Sequence, residues 1–267
     1  MIDLSIVIVS YNARADLECC LASLHDFPPA ISHEIVVVDN ASNDGSADAA
    51  RRWTAVRVIA FPANVGFSAG NNAGIRASSG RLILLLNSDT LAPKGAIDRF
   101  VAEFERHADA GAAGPRLIDG EGRAELSFGD MIAPLAEFRR QRLMRGLERD
   151  DPAVRARVES MTRREQFPDW VSGACLLVRR ADADAVGLLD ERFFMYTEDV
   201  DFCASLRTRG QRILFTPNAE IVHLRGRSAR SAPAATRAAY RRSHLAFYKK
   251  HHPLFYPLIA VYHAITG

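Results

Sequence analysis

The run L-I-L-L-L-N-S-D-T at 82–90 constrains the fold of this chain more than any other stretch. Five consecutive aliphatic residues, Leu82 to Leu86, leave no polar face, as expected of a strand buried on both sides within a parallel sheet. The run stops at three polar side chains, Asn87, Ser88 and Asp89. In an open parallel sheet, ligands bind outside the carboxyl ends of the strands, so Asp89 is placed where a metal ion and its phosphates can be held. Asn-Ser-Asp also serves as plain turn chemistry, and the neighbouring segments decide between the two readings.

Those segments repeat the pattern. Residues 4–10 (L-S-I-V-I-V-S) form a strand ending at Tyr11-Asn12, and Leu17, Cys20, Leu21 and Leu24 then follow at helical spacing. Residues 34–39 (E-I-V-V-V-D) end at Asp39 and lead through Ser42, Asn43, Asp44 and Gly45 into a helix at 46–53. A third strand is predicted at 56–61, followed by the glycine- and asparagine-rich helix entry N-V-G-F-S-A-G-N-N-A-G at 64–74. Strands alternating with helices at this spacing predict an α/β fold whose central sheet is mostly parallel and flanked by helices. Three strand ends, at Asn12, Asp39 and Asp89, then bring short polar side chains to one sheet edge, a nucleotide-sized site. Asp39 can accept hydrogen bonds from a base N–H or a ribose hydroxyl, and the glycines of 64–72, lacking Cβ, allow the backbone to approach the rest of a nucleotide closely. No G-x-G-x-x-G follows the first strand and no G-x-x-x-x-G-K-[ST] occurs anywhere, which argues against dehydrogenases and P-loop enzymes.

The second part of the chain predicts a helix at 96–107, a strand at 112–117, a mobile basic helix pair at 138–164, one strand over 170–180, and strands at 213–216 and 220–223. Glu198, Asp199 and Asp201 fall in the first turn of a helix that Thr197 can cap, where carboxylates are favoured by the macrodipole. A carboxylate held there beside a cleft can equally take a proton from a hydroxyl. His223 at a strand end is either a core imidazole or, with Asp89 on the same edge, a metal ligand. The formal net charge of +2 hides arginine-rich stretches at 139–164 and 225–242, which suit phosphate-bearing or acidic partners. Four cysteines, Cys19, Cys20, Cys175 and Cys203, contain no C-x-x-C pair and fit neither a zinc site nor a disulfide framework, in keeping with a reducing cytosol. Met1 leads into an apolar strand without a basic n-region or cleavage site, and no apolar run reaches the roughly 18 residues that span a bilayer. The aromatic and basic tail, with Arg241, Arg242, Lys249 and Lys250, suits a membrane surface, a partner protein or the chain's own core.

Seven motifs in order, V-S-Y-N, V-V-D-N-A-S-N-D-G-S, N-x-G-F-x-x-G-N-N-x-G, L-N-S-D, W-V-S-G-A-C-L-L-V-R-R, F-F-M-Y-T-E-D-V-D-F-C and H-L-R-G-R-S, make the chain resemble the family 2 glycosyltransferases of the GT-A fold. The resemblance is to their rhamnosyltransferase-like branch and covers about 4–228. It implies a GT-A domain at 1–228, with a nucleotide-binding half at 1–117 and an acceptor half at 118–228, and a helical tail at 229–267. It also implies an inverting transferase that moves a sugar, rhamnose among the candidates, from a dTDP- or UDP-sugar to a glycan or lipid-linked glycan in cell-surface polysaccharide or glycolipid assembly. By the same resemblance Ser10, Tyr11, Asn12, Asp39, Asn64, Gly66, Asn71, Asn87 and Ser88 line the nucleotide, and Trp170 and Gly173 face the sugars. Asp89 and His223 bind Mg²⁺ or Mn²⁺, and Asp199 is the base with Glu198 beside it. The family's D-x-D is here Asn87-Ser88-Asp89, which leaves one strong carboxylate and shifts metal binding toward His223. The expected setting is the cytoplasm, peripheral on the inner face of the membrane, with no nucleic acid as partner. Two rival readings are a nucleotidyltransferase and a nucleotide-sugar-binding subunit without catalysis.

Overall fold

Alternation of side chains along each central strand builds two hydrophobic layers, one on either face of a single sheet. The computed structural model describes residues 2–224 and 233–266. Its first half runs β1 (Leu4–Ser10), α1 (Arg14–Asp26), β2 (His33–Asp39), α2 (Ser46–Arg51), β3 (Val56–Ala60), α3 (Phe67–Ala77) and β4 (Leu82–Asn87). On β4, Leu82, Leu84 and Leu86 join Leu4, Ile6 and Ile8 of β1 against Leu17 and Leu21 of α1. Ile83, Leu85 and Val7 face the opposite layer. Each fully buried aliphatic side chain contributes roughly 1.5–3 kcal/mol, so this unbroken apolar run is a principal source of stability.

The chain continues through β5 (Thr90–Leu91), α4 (Ala96–Arg106), β6 (Ala110–Ile118), β7 (Phe128–Gly129), α5 (Pro134–Glu148), α6 (Pro152–Thr162), β8 (Trp170–Val171), β9 (Cys175–Arg179) and α7 (Arg180–Ala185). It then enters α8 (Glu198–Thr208) and β10 (Arg212–His223) and closes with α9 (Pro233–His251) and α10 (Tyr256–Thr266). Strand order in the large sheet is β3-β2-β1-β4-β9-β6-β10-β5. The β1–β2, β2–β3, β1–β4 and β6–β10 pairs are parallel, while β9 runs antiparallel to both β4 and β6, and β5 antiparallel to β10. The chain moves outward from β1 to β3 and then returns to the other side of β1 as β4, so a crevice opens between the carboxyl ends of β1 and β4, where an open α/β sheet binds its ligand.

Two local expectations are corrected. The strand predicted over 170–180 is two strands in different sheets, β8 and β9, and the switch falls at Gly173, whose N–H goes to Asp199 instead of a neighbouring strand. The strands predicted at 213–216 and 220–223 are one strand, β10, with an irregularity between Thr216 and Glu220. Gly70 and Gly74 serve packing: a Cβ would meet Val9 Cγ1 at 3.0 Å or Val7 Cγ1 at 2.4 Å, so they let α3 lie directly on β1, while Gly66 lies at the sheet edge. The tail divides its expected uses. Helix α9 folds onto the body, with Phe247 and Tyr248 fully buried, whereas α10 exposes Leu258, Val261 and Ile265. The H-L-R-G-R-S motif beyond Leu224, the domain boundary at 228 and the first arginines of 225–242 lie outside the described residues.

Candidate active site

A cavity of about 560 Å³ opens at the crevice between β1 and β4. Val9 and Tyr11 from the end of β1 and Asn87, Ser88 and Asp89 from the end of β4 form one side of it. Asn40, Asn64 and Gly66 form another, and Thr236, Ala239 and Arg242 of α9 lean over it. The asparagine wall is rigid because its amides are spent on each other and on the backbone. Asn40 Nδ2 donates to Asn64 Oδ1 at 2.9 Å and to the Gly66 carbonyl at 3.1 Å, while Asn40 Oδ1 accepts from the Val65 N–H at 2.9 Å. Gly66 is obligatory here: its φ is +91°, and a Cβ would lie 2.6 Å from the Phe194 carbonyl oxygen.

Asp89 and His223 meet at the floor of this cavity, with Asp89 Oδ1 3.3 Å from His223 Nε2. The other ring nitrogen, Nδ1, lies 3.1 Å from Glu125 Oε2. Burial disfavours the imidazolium, but hydrogen bonds to Asp89 and Glu125 outweigh it and push His223 up to about 9. The donor set suits a divalent ion. Two ligands bound at roughly 2.1 Å to one octahedral ion stand roughly 3 Å apart, close to the Asp89–His223 separation, and an imidazole whose far nitrogen is held by a carboxylate is oriented as metal-binding histidines are. Glu125 stands at Nδ1, the ring nitrogen away from Asp89, and so orients His223. Among the described residues, the one group of three metal-type side chains within mutual reach is Glu103, His107 and Glu165, at the end of α4.

The two carboxylates opening α8 sit in the same cavity but in different environments. Asp199 is held by two backbone donors, the Gly173 N–H to Oδ2 at 2.9 Å and the Val200 N–H to Oδ1 at 2.8 Å. Burial nevertheless raises its pKa above the ordinary carboxyl value, against those hydrogen bonds and the Arg140 charge. Glu198 is raised well above the ordinary value by burial and by the Asp199 charge, and its Oε2 is buried with no hydrogen-bond partner among the described residues. Thr197 does not cap α8 as predicted. It adopts left-handed backbone, φ 65°, directly after Tyr196 at 71°, and its hydroxyl donates to the Tyr196 carbonyl at 2.6 Å. Two consecutive non-glycine residues in this region, one β-branched, store strain of about 1–3 kcal/mol each. That turn is what aims Glu198 and Asp199 into the cavity.

A second cavity of about 610 Å³ lies on the other side of Asp199. Ser172, Tyr196 and Asp199 line both cavities, so the carboxylate stands in a shared wall. The second cavity contains Trp170, whose indole N–H donates to the Asp130 carbonyl at 2.8 Å and whose ring is covered by Arg140 at 4.5 Å.

Of the residues predicted for the site, Tyr11, Asn64, Gly66, Asn87, Ser88, Asp89, Gly173, Glu198, Asp199 and His223 line the first cavity and Trp170 the second. Ser10, Asn12, Asp39 and Asn71 are outside both walls. Asn12 holds the loop after β2 through the Ser42 hydroxyl and the Asn43 N–H, and Asn71 donates to the Phe67 carbonyl of its own helix. Ser10 and Asp39 are register partners at adjacent strand ends, and each keeps a buried oxygen without a hydrogen-bond partner among the described residues. Sequence reasoning missed Asn40, Glu125, Arg140 and Arg242. Asn40 follows a strand-end aspartate, which is a usable signal; Glu125 arrives on a loop bridged back at Ala124 to Ile118, and nothing local marks it.

The family model for glycosyl transferase family 2 matches residues 5–169. An N-acetylglucosaminyl-diphospho-decaprenol L-rhamnosyltransferase of Mycobacterium tuberculosis is 32% identical over 93% of this chain and 85% of that protein. Among solved structures, the mannosyltransferase PcManGT of Pyrobaculum calidifontis, in complex with GDP-Man and Mn²⁺, superposes with a TM-score of 0.64 at 18% identity, over 96% of this chain and 68% of that one. Residues 1–349 of S. aureus TarS give 0.59 at 16% identity over 83% of this chain, which spans 60% of that fragment. These two likenesses speak to the fold, which is GT-A. The chain belongs to glycosyl transferase family 2 and is a glycosyltransferase of the rhamnosyltransferase-like kind.

Proposed function

We propose that this enzyme transfers a sugar, rhamnose first among the candidates, with inversion from a dTDP- or UDP-sugar to a hydroxyl of a lipid-linked glycan. The observation that carries the reading is Asp199 in the wall shared by two cavities, one at the nucleotide-binding edge of the sheet and one on the far side. The donor enters the first cavity with its diphosphate toward Asp89 and His223, and the acceptor sugar enters the second beside Trp170. Asp199 takes the proton from the acceptor hydroxyl, the oxygen bonds to the anomeric carbon, and the bond to the nucleoside diphosphate breaks on the opposite face. Burial raises the basicity of Asp199, while the Gly173 and Val200 N–H groups fix the carboxylate in place. A divalent ion, Mg²⁺ or Mn²⁺, held by Asp89 and His223 would neutralise charge on the leaving diphosphate. Ser10 and Asp39 offer unspent buried oxygens at the strand ends for the nucleoside. A lipid-linked acceptor places the enzyme at the cytoplasmic face of a membrane, where nucleotide sugars are supplied.

A thermal-shift screen of uridine, thymidine and guanosine diphosphate sugars, with and without divalent cation, tests the reading. A ligand at a hundred times its dissociation constant stabilises the native state by roughly 2.7 kcal/mol. Metal-dependent stabilisation by one diphosphate sugar, followed by transfer with release of the nucleoside diphosphate, is the expected result. Release of pyrophosphate from a nucleoside triphosphate, or no response to any diphosphate sugar, contradicts it.

A further inference from the structure

A third cleft, of about 800 Å³, opens between α5, α9 and α10. Its walls carry Phe138, Tyr240, Ile259 and Tyr262 together with the cations Arg237 and Arg241. It adjoins the cavity on the far side of Asp199, since Glu137, Tyr196 and Tyr240 line both, and it touches the first cavity at Tyr196 and Thr236. The negative charge at that junction is engaged: Glu137 Oε1 faces His244 Nε2 at 2.5 Å and Oε2 accepts from the Tyr248 hydroxyl. His244 Nδ1 in turn lies 2.8 Å from His263 Nε2, so one imidazole donates to the other and ties α10 to α9.

Outside the cleft the surface is apolar in a regular way. Leu254, Leu258, Val261 and Ile265 recur at helical spacing and are 92%, 64%, 57% and 79% exposed. Leu135 and Phe138 of α5 are 62% and 65% exposed. An apolar helix face beside arginines is the composition that seats at an anionic lipid surface.

We infer that the cleft between α5, α9 and α10 binds the lipid diphosphate of the acceptor, with Arg237 and Arg241 on the diphosphate and Phe138, Ile259 and Tyr262 along the first units of the chain. The inference rests on the proposed lipid-linked acceptor and assigns where in this molecule the lipid end is held. The cleft adjoins the cavity of Trp170, so a molecule with its hydroxyl at Asp199 and its sugar beside Trp170 can carry its diphosphate and hydrocarbon into it. Arginine forks match the geometry of phosphate oxygens, so the cationic part of the cleft reads diphosphate more strongly than a neutral headgroup.

The test measures binding of a polyprenyl diphosphate in neutral detergent micelles to the full-length protein, to Arg237→Ala/Arg241→Ala and to Ile259→Asp. Polyprenyl alcohol and phosphatidylglycerol in the same micelles serve as comparison ligands. Melting temperature and the donor-induced thermal shift of each variant report on the fold. The expected result is saturable binding of the diphosphate, tighter than that of phosphatidylglycerol or the alcohol, weakened at least about tenfold in both variants and restored in part by Arg237→Lys/Arg241→Lys, with the donor shift unchanged. Equal binding by native protein and variants overturns the cleft assignment and leaves the lipid-linked acceptor standing. Binding of phosphatidylglycerol as tight as that of the diphosphate overturns diphosphate recognition. Failure of the native protein to distinguish polyprenyl diphosphate from empty micelles removes the lipid-linked acceptor itself, and the cleft assignment with it.

Discussion

At the scale of single residues, the site is a set of carboxylates whose surroundings differ although their spacing in the chain does not reveal it. Glu198 and Asp199 are neighbours, yet Asp199 holds two backbone N–H groups and Glu198 Oε2 has no partner among the described residues. A carboxyl whose folded pKa lies above its unfolded value favours the native state when protonated; that contribution is full below the ordinary value of 4.5 and is lost as pH rises through the raised value. Glu198→Gln should therefore melt higher than the native protein at neutral pH, with the difference shrinking to nothing as pH falls toward about 4. A pair of melting curves against pH checks this, and a variant that melts lower at neutral pH would mean that Glu198 is paired. Asp89→Ala should abolish the metal-dependent part of diphosphate binding while leaving binding of the free nucleoside in place. Glu125→Gln should weaken metal affinity about 10- to 100-fold, by loosening His223 without removing a ligand. Titration calorimetry with Mn²⁺ and nucleotide measures both. Asp89, His223 and Asp199 were legible because strands and helices deliver their ends to one edge. Glu125 was not, since its place depends on a loop folding back 98 residues away in sequence from the histidine it orients.

At the scale of elements, hydrophobic periodicity located the strands and helices of the first half closely, because β1, β2 and β4 are buried on both faces and carry unbroken aliphatic runs. Where small residues interrupt a run, periodicity misleads. Ser172, Gly173 and Ala174 read as part of one strand, but Ser172 still pairs with Ser127 beside β7, Ala174 still accepts from the Asn87 N–H at 2.9 Å beside β4, and Gly173 between them donates to Asp199 instead. The change of partner at Gly173 lets β8 join β7 and build the wall of the second cavity. A missing Cβ suits close approach of any kind, and at Gly70 and Gly74 of α3 the approach is to β1. Gly74→Ala would place a methyl 2.4 Å from Val7 Cγ1, and overpacking of this kind costs about 1–3 kcal/mol. The variant should melt lower, and adding Val7→Ala should return part of the loss if the clash is its cause. Denaturant midpoints of the two single variants and the double variant decide it.

At the scale of the whole molecule, the sheet order, with β9 antiparallel between β4 and β6, joins the half that carries β1 to β4 to the half that carries α8, so that Asp199 reaches the strand ends of β1 and β4. The alternation of strands and helices made the α/β class legible, but which strands become neighbours across the two halves depends on long-range pairing that no local pattern encodes. The tail was legible as amphipathic and not as divided, because burial of Phe247 and Tyr248 separates α9 from the exposed stripe of α10 only once the chain is folded. That stripe, with the arginines of α5, predicts sedimentation with anionic vesicles at low salt and release at high salt, since charge attraction is screened over about 8–10 Å at physiological ionic strength. Vesicle binding indifferent to salt, or absent, would contradict it. The central claim is that Asp199 is the base between a donor cavity and an acceptor cavity, and Asp199→Asn tests it most directly because asparagine keeps the shape and an oxygen to accept the Gly173 N–H. Turnover with the donor found in the screen should fall about 10²- to 10⁴-fold, with donor affinity and melting temperature nearly unchanged. Transfer by Asp199→Asn at close to the native rate would contradict the account.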